Sequence, residues 1–290
     1  MNIFRNYINN RQLGYLFVLI AVLLYSISDA IMKHYTNVYP VSEVTFLRTV
    51  ARFCPYIILV LFKKINPLKS ERKTVNILRA ILASIGTYSF MTAYSYSAMT
   101  DVFVVGSTTA IFVIPFSVFF LKEKFSAQNL IAIFLGFSGI CLAFRPGYGI
   151  FQIGILFAVL GAVIAALNQV LIKKLATTES EFTIIFYHNI SVMFIMLIIG
   201  LNDFISLKSN DLMFLIVGGL IGAIAQYCMI HAFKLSSSSG LASAGYIMIV
   251  PNVLFDIFLF HKIPDVYILF GTLLTLSGLY MAFRLQRKFK

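Results

Sequence analysis

Four ionisable side chains interrupt long apolar stretches of this 290-residue chain: Asp29, Arg48, Arg52 and Asp256. Arg48 and Arg52 are four residues apart, a spacing that places both guanidinium groups on one face of a helix. Two such groups can clamp a carboxylate, while the aspartates can balance the arginines or receive a cationic group of a ligand. The alternative is an ion-pair network that only holds helices together.

Other polar and aromatic residues in the same stretches extend this candidate site. His188 titrates near neutral pH and could carry a coupled proton, or it could stay neutral against a backbone carbonyl. Asn168 and Asn252 could bind a ligand or join helices by hydrogen bonds. Aromatic rings could stack on a planar group, face a cation or simply pack; they are Tyr88, Tyr94, Tyr96 and Tyr246. The predicted ligand-binding residues are Asp29, Arg48, Arg52, Asn168, His188, Tyr246, Asn252 and Asp256.

Three further ionisable residues, Lys33, Glu43 and Arg79, lie nearer the ends of apolar runs, and we expect them to be solvated or to extend towards water. The cysteines have neither CxxC spacing nor nearby histidines. We therefore predict no disulfide, metal site or cofactor. Gly218 and Gly222 are four apart and predict close helix packing.

The composition requires an apolar environment for the helices that carry these residues. The chain is 60% hydrophobic and 12% charged, whereas soluble domains have about 25% charged residues. Ten runs have the length of a membrane helix and are apolar on all faces, unlike barrel strands. They cover residues 13–32, 42–62, 75–97, 102–121, 127–144, 150–172, 182–201, 212–233, 240–260 and 266–283. This predicts an all-α polytopic membrane protein.

The net charge of +12 is distributed unevenly between the two sides of the predicted bundle. When alternate connections are assigned to opposite sides, 16 Lys and Arg residues lie on one side and 4 on the other. The positive-inside rule then makes both termini cytoplasmic. The basic excess is therefore a signal of membrane topology, and we expect the lipid bilayer and not a nucleic acid as the partner.

An internal repeat divides the chain into residues 1–145 and 146–290. A shift of 140 residues superposes Lys33 on Lys173 and Arg48 on His188, and Pro115 matches Pro251 after a small gap. Each half contains five predicted helices, an odd number, so the second half must enter the membrane in the opposite orientation. Ten helices in two inverted five-helix repeats are typical of secondary transporters, in which the two halves open a site alternately to each side.

The whole chain resembles the drug/metabolite transporter superfamily, in particular its ten-helix EamA-type members. The resemblance lies in Ala93-Tyr94 with Ala232-Phe233, Pro115 followed by Phe119-Phe120-Leu121-Lys122-Glu123, Gly136 to Ile140, and Leu276-Ser277-Gly278. The chain departs from the pattern at Phe260-His261-Lys262, where the second copy usually has an acidic residue matching Glu123. The resemblance implies a carrier of small metabolites in the bacterial inner membrane.

A narrower similarity is to S-adenosylmethionine uptake transporters of intracellular bacteria. It rests on Ser26, Asp29 and Lys33, on Glu43-Val44-x-Phe46-x-Arg48, on Ile77-Leu78-Arg79 and on Lys173-Lys174 followed by Glu179-Ser180. It implies that arginines hold a carboxylate, acidic residues hold amino and sulfonium charges, and aromatic rings hold adenine. An exporter of amino acids or other metabolites in the same superfamily is the alternative.

Two other classes of function are disfavoured by the sequence. An intramembrane enzyme is disfavoured because the chain has no HExxH, GxSxG or P-loop motif. A passive channel has no need of an inverted repeat and would carry a repeated filter segment. With no ATPase motif, we expect transport to be driven by the substrate gradient, a counter-substrate or a coupled proton. The oligomeric state, monomer or dimer, stays open.

Overall fold

The computed structural model describes residues 2–122, 134–135, 138–139, 142, 153–175, 178–235, 248–262, 266–267, 270–271, 273–274 and 277. Within these ranges the chain is helical and contains no strand. The helices are α1 (Asn2–Thr36), α2 (Val41–Phe62), α3 (Lys73–Tyr96), α4 (Met99–Ser107), α5 (Thr109–Leu121), α6 (Ile153–Leu175), α7 (Glu181–Gly200), α8 (Ser209–Leu235) and α9 (Ile249–Phe258). The predicted all-α fold is therefore confirmed for the described part of the chain.

Six helical stretches in the described residues are long and apolar enough to cross a membrane. They are Leu16–Thr36, Val41–Phe62, Met99–Leu121, Ile153–Leu175, Phe182–Gly200 and Ser209–Met229. The predicted fifth and tenth spans, 127–144 and 266–283, lie mostly outside the described residues, as does the first half of the ninth. The chain is thus a multi-span helical protein, and the count of ten spans stays a prediction.

The predicted fourth span, 102–121, is two helices, α4 and α5, that meet at Thr108. The Ser107 and Thr108 hydroxyls each donate to a carbonyl three residues earlier, Val104 O and Val105 O, both at 2.6 Å. Such side-chain bonds compete with the helical backbone ladder and bend or interrupt helices. The span also begins earlier than expected, at Met99, directly after the end of α3.

The helices pack reciprocally across the two halves of the chain. α1 lies along α8 and α3 lies along α6, while α2 contacts both α7 and α8, and α3 also contacts α7. α4 packs on α6 and α9 on α1. Each contact between α1–α4 and α6–α9 therefore has a counterpart in which the two halves exchange places.

Glycines permit the close approach of α8 to α1 and α2, as predicted from Gly218 and Gly222. A Cβ atom on Gly218 would lie 2.6 Å from Met32 Cε, and one on Gly219 would lie 2.8 Å from the carbonyl oxygen of Arg48. Gly218 O also accepts a hydrogen bond from Ser28 Oγ at 2.8 Å. Small residues of this kind bring helix backbones together in membrane bundles.

The outer surface of the bundle is apolar. Large hydrophobic side chains on the outward faces are strongly exposed, among them Leu16, Leu61, Phe62, Phe119, Phe194 and Leu201. Small and β-branched residues such as Ala21, Ala83, Ala158 and Ala162 are buried between helices. A surface this apolar requires a lipid environment, because in water it would associate.

The two ends of the bundle are tied by similar contacts. At the end where α1 terminates, here called the Lys33 end, Tyr39 Oη donates to Asp211 Oδ2, in the first turn of α8, at 2.6 Å. At the opposite end, called the Glu179 end, Glu179 Oε1 accepts hydrogen bonds from Ser70 Oγ and Arg72 N at 2.8 Å, before α3. Exposed basic residues concentrate at the Glu179 end: Lys63, Lys64, Lys69, Arg72, Lys73, Lys173 and Lys174.

Glu43 is buried, contrary to the prediction that it is solvated. Its Oε2 accepts a hydrogen bond from the backbone N–H of Ile205, in the connection between α7 and α8, at 3.2 Å. This contact satisfies a backbone donor that lies outside the helices. The sequence position near a helix end was not sufficient to predict it, because the partner is a distant part of the chain.

Candidate functional site

An open cavity of about 470 Å³ lies beside α1, between α3 and α4. Its volume is within the range of small-molecule binding sites. Its lining is mostly apolar and aromatic, and consists of Asp29, Thr87, Phe90, Met91, Tyr94, Val102, Phe103, Gly106, Ser107 and Met248. Asp29 is the one charged residue among these, so it can contribute a negative charge to the cavity wall.

Asp29 forms a buried ion pair with Arg48, across α1 and α2. Arg48 Nη2 lies 2.5 Å from Asp29 Oδ1, and Arg48 Nη1 also contacts Met91 Sδ at 3.4 Å. The Arg48 Nε atom is buried and has no hydrogen-bond partner in the described structure. The pair thus has spare donor capacity next to the cavity, and separating it inside the bundle would leave two unbalanced charges.

Arg52 lies one turn after Arg48 on the same face of α2, as its spacing predicts. Its guanidinium group packs against Gly222, where an added Cβ atom would lie 2.9 Å from Arg52 Nη2 and 3.0 Å from Ser28 Oγ. The Nε and Nη2 atoms of Arg52 are buried, and neither has a hydrogen-bond partner within the described residues. The cluster of Asp29, Arg48 and Arg52 therefore has two cations for one anion, with unused donors to receive an anionic group.

Arg79 is almost fully buried, which corrects the prediction that it reaches water. Its Nη2 donates to Ile184 O at 2.8 Å and its Nη1 to Asn168 Oδ1 at 3.3 Å. These bonds join α3 to α6 and α7. Asn168, a predicted ligand-binding residue, is therefore already a partner of Arg79. The orientation follows from the central position of α3, whose polar face meets other helices.

His188 lies near both Arg79 and Arg52, on α7. Its Nδ1 atom is buried and has no hydrogen-bond partner in the described structure. One alternative from the sequence was a neutral His188 hydrogen-bonded to a backbone carbonyl. The Nδ1 atom makes no such bond within the described residues.

Asp256 is separate from the arginine cluster and pairs with Lys33. Lys33, expected in water, is buried at 3% exposure, with its Nζ atom 3.4 Å from Asp256 Oδ1. The carboxylate also accepts hydrogen bonds from Met99 N at 2.8 Å and from the backbone N and hydroxyl of Thr100 at 2.7 Å. The predicted four-residue constellation is therefore divided into two groups at different depths.

The remaining predicted residues give less information. Asn252 lies one turn before Asp256 and is fully buried, and neither of its amide atoms has a partner in the described structure. Tyr246 lies outside the described residues. Of the other tyrosines considered, Tyr94 lines the cavity and Tyr96 is 62% exposed.

Several cavity residues were not predicted from the sequence, notably Phe90, Met91, Phe103 and Met248. Thr87, Met91 and Tyr94 recur at helical spacing and share one face of α3. This spacing is visible in the sequence. It could not identify the cavity, because a helix face that meets lipid and a helix face that lines a cavity have the same apolar composition. No cluster of three or more His, Cys, Asp or Glu side chains able to hold a metal occurs in the described part of the chain.

The described residues form a multi-span helical bundle with a cavity and a charged cluster beside it, an arrangement that membrane transporters share. The EamA-like transporter family matches residues 12–145 and 152–284, and the chain belongs to this family. The resemblance drawn from the motifs is thereby confirmed. A crystal structure of another protein shares the fold, with a TM-score of 0.66 at 17% identity over 96% of this chain and 98% of that chain.

Curated relatives of this chain have more specific names. An S-adenosylmethionine uptake transporter of Rickettsia prowazekii is 25% identical over 87% of this chain and 86% of its own length. One of Rickettsia bellii is 24% identical and covers 92% of both chains. The pseudopaline exporter CntI of Pseudomonas aeruginosa is 23% identical over 90% of this chain and 92% of its own. The relatives thus include both importers and exporters.

Proposed function

We propose that the chain is a secondary carrier that moves a small zwitterionic metabolite, with S-adenosylmethionine the first candidate, across the bacterial inner membrane. The observation that carries the proposal is the cluster of Asp29, Arg48 and Arg52, in which a buried ion pair faces the cavity and a second guanidinium group has unused donors. A zwitterion matches this arrangement of charges. The names of the Rickettsia relatives support the specific substrate.

The cargo would be held by charge at one end and by rings at the other. Its carboxylate would bind Arg52 and the spare donors of Arg48, and its amino or sulfonium group would face Asp29. The adenine ring would lie against the aromatic and thioether side chains of the cavity, including Phe90 and Tyr94. Binding would compensate charges that are otherwise unbalanced in a low-dielectric site, which favours a zwitterion over a neutral molecule.

Alternating access would come from two inverted five-helix repeats, residues 1–145 and 146–290. The family matches each half separately, and the helices of the two halves pack reciprocally. The hydrogen bonds that tie the two ends support the same relation. Under the 140-residue shift Tyr39 corresponds to Glu179. Asp211 corresponds to Glu71, which lies between the Glu179 partners Ser70 and Arg72. Motion of one half against the other would open the cavity to each side in turn.

The driving force would be a gradient of the substrate, of a counter-substrate or of protons. His188 is the candidate residue for proton coupling from the sequence, but a positive charge on it would lie beside the guanidinium cations of Arg79 and Arg52, so a gradient of the substrate or of a counter-substrate is favoured. The exposed basic residues at the Glu179 end support a cytoplasmic position for that end and for both termini.

Uptake into proteoliposomes tests the proposal. We expect the purified protein to accumulate labelled S-adenosylmethionine and to exchange it for internal unlabelled substrate, and we expect Arg48→Ala to abolish uptake. The double substitution Asp29→Asn with Arg48→Gln removes both charges of the pair. It should therefore be more stable to heat than Arg48→Ala, which leaves Asp29 unpaired, but it should still not take up substrate. Normal uptake by folded Arg48→Ala would contradict this site.

Export is the second candidate for the direction of transport, since the pseudopaline exporter is also a relative. Counterflow identifies a carrier whichever direction it works in, because a carrier exchanges label against an opposing gradient and a channel does not. A screen of metabolites by thermal shift would identify another cargo if S-adenosylmethionine neither binds nor exchanges.

A further inference from the structure

A second charged group, at the Lys33 end, joins three parts of the bundle that are distant in the sequence. Lys33 on α1 donates to Ser97 O, at the corner between α3 and α4, at 2.7 Å. The same ammonium group pairs with Asp256 on α9 and lies 4.7 Å from the centre of the Phe260 ring. Lys33 and Asp256 are 3% and 0% exposed, so water does not screen the pair.

Asp256 is also the cap of α4. The residue before this helix is Ala98, which supplies no side-chain hydrogen bond to the first turn. Asp256, on α9, supplies these hydrogen bonds in its place and accepts them from the N–H groups of Met99 and Thr100. A carboxylate at a helix N-terminus satisfies free donors and is stabilised by the helix dipole. The position of α4 therefore depends on Asp256.

This group lies at the boundary of the cavity. Lys33 follows the cavity residue Asp29 by one turn of α1, towards the end of the helix. Val102 and Phe103, which also line the cavity, follow the capped turn of α4. A ligand in the cavity therefore has the Lys33–Asp256 pair between it and the Lys33 end of the bundle.

By sequence, the residue that matches Asp256 in the first half of the chain is not acidic. Lys173 matches Lys33 under the 140-residue shift, but with Pro115 aligned to Pro251 the position of Asp256 is occupied by Phe120. The Phe120 ring lies edge to face with Phe119, at 5.0 Å between ring centres. The two aligned positions therefore differ in chemistry, a carboxylate in the second half and an aromatic ring in the first.

We infer that Lys33 and Asp256 form an ionic latch that closes the cavity at the Lys33 end and must separate before cargo passes there. The inference rests on the proposed alternating access. Asp256 acts as a positioning residue, because it holds in place the helix that supplies one wall of the cavity. Separation exposes both charged groups to water, which offsets the loss of the pair.

Thiol labelling tests the latch without any substrate. In a variant with Cys54, Cys141 and Cys228 replaced by serine, Ser107→Cys places one thiol on the cavity wall. A membrane-impermeant maleimide is added from each side, using right-side-out and inside-out vesicles. We expect Lys33→Met to increase the labelling rate from the Lys33 side about tenfold, because the closed state loses its ion pair.

Asp256→Asn should have the same effect, and Lys208→Met, an exposed lysine at the same end, should have none. Size-exclusion chromatography in detergent checks that each variant is folded. The latch is contradicted if folded Lys33→Met and Asp256→Asn both label at the parent rate, or if Lys208→Met accelerates labelling equally. Because no cargo is present, failure of S-adenosylmethionine uptake would leave this result intact.

Discussion

At the scale of single residues, buried charges in this protein have different partners and therefore different roles. Arg79 has two acceptors from neighbouring helices, Asn168 Oδ1 and Ile184 O. Arg52 has buried nitrogen atoms with no acceptor in the described residues. Both are arginines inside a helical bundle, but the first joins helices and the second has donors left for a ligand.

This difference predicts opposite effects of the same substitution. Arg52→Gln should raise KM for a carboxylate-bearing cargo by about tenfold or more, the effect of a lost charge-assisted hydrogen bond, with little change in melting temperature. Arg79→Gln should destabilise the protein by about 1–3 kcal/mol, since it leaves buried acceptors unpaired, and should change KM less than about twofold. Liposome uptake kinetics and thermal unfolding in detergent measure the two effects.

The two variants are controls for each other. If Arg52→Gln lowered the melting temperature as much as Arg79→Gln and left KM unchanged, Arg52 would belong to the packing of the helices. The cluster of Asp29, Arg48 and Arg52 would then be an internal ion-pair network, which is the alternative that the sequence alone left open.

At the scale of elements, α8 is central because it lies against both α1 and α2. Its glycines bring backbone close to backbone: a Cβ on Gly219 would lie 2.8 Å from Arg48 O and 3.4 Å from Arg52 N. Backbone atoms cannot move aside as the end of a flexible side chain can. The positions of Arg48 and Arg52 therefore depend on the absence of a side chain at Gly219 of α8.

We predict that Gly219→Ala destabilises the protein by about 1–3 kcal/mol, the usual effect of overpacking. It should also reduce uptake, because α2 carries Arg48 and Arg52 and must shift. Thermal unfolding and uptake are measured on the same preparations. Leu220→Ala, next to it on the exposed face of α8, is the control and should change stability by less than about 0.5 kcal/mol. Equal effects of the two substitutions would contradict the close contact.

At the scale of the whole molecule, the distribution of charge distinguishes the two ends of the bundle. The Glu179 end has an exposed basic surface, whereas the described basic residues at the Lys33 end are Lys33, which is buried, and the exposed Lys208 and Lys262. The apolar belt between the two ends is suited to lipid. The positive-inside rule then predicts that the Glu179 end faces the cytoplasm.

Single cysteines at the two ends test this orientation. In the cysteine-free variant, Ser206→Cys at the Lys33 end should react with an impermeant maleimide added to intact bacterial cells from which the outer membrane has been removed. Thr74→Cys, exposed at the Glu179 end, should react only after the membrane is permeabilised. The reverse pattern would invert the topology and place both termini outside.

The sequence by itself determined the class of protein and the approximate positions of its helices. Runs of 42–62 and 182–201 predicted α2 and α7, observed at Val41–Phe62 and Glu181–Gly200. This works because a long apolar segment in lipid must satisfy its own backbone hydrogen bonds, and a helix does so within one segment. The spacing of Arg48 and Arg52 likewise placed them on one face of α2.

Only the tertiary structure decided which helix faces turn inwards and what each buried charge contacts. Lys33, Glu43 and Arg79 were expected in water and are buried, and Asp256 pairs with Lys33 and not with the arginines. Lipid and protein interior are both apolar, so the helices carry no polar stripe that marks an outer face. The partners of Lys33, Glu43 and Arg79 are more than 60 residues away along the chain, as with Lys33 and Ser97 at a separation of 64, and folding alone brings them together.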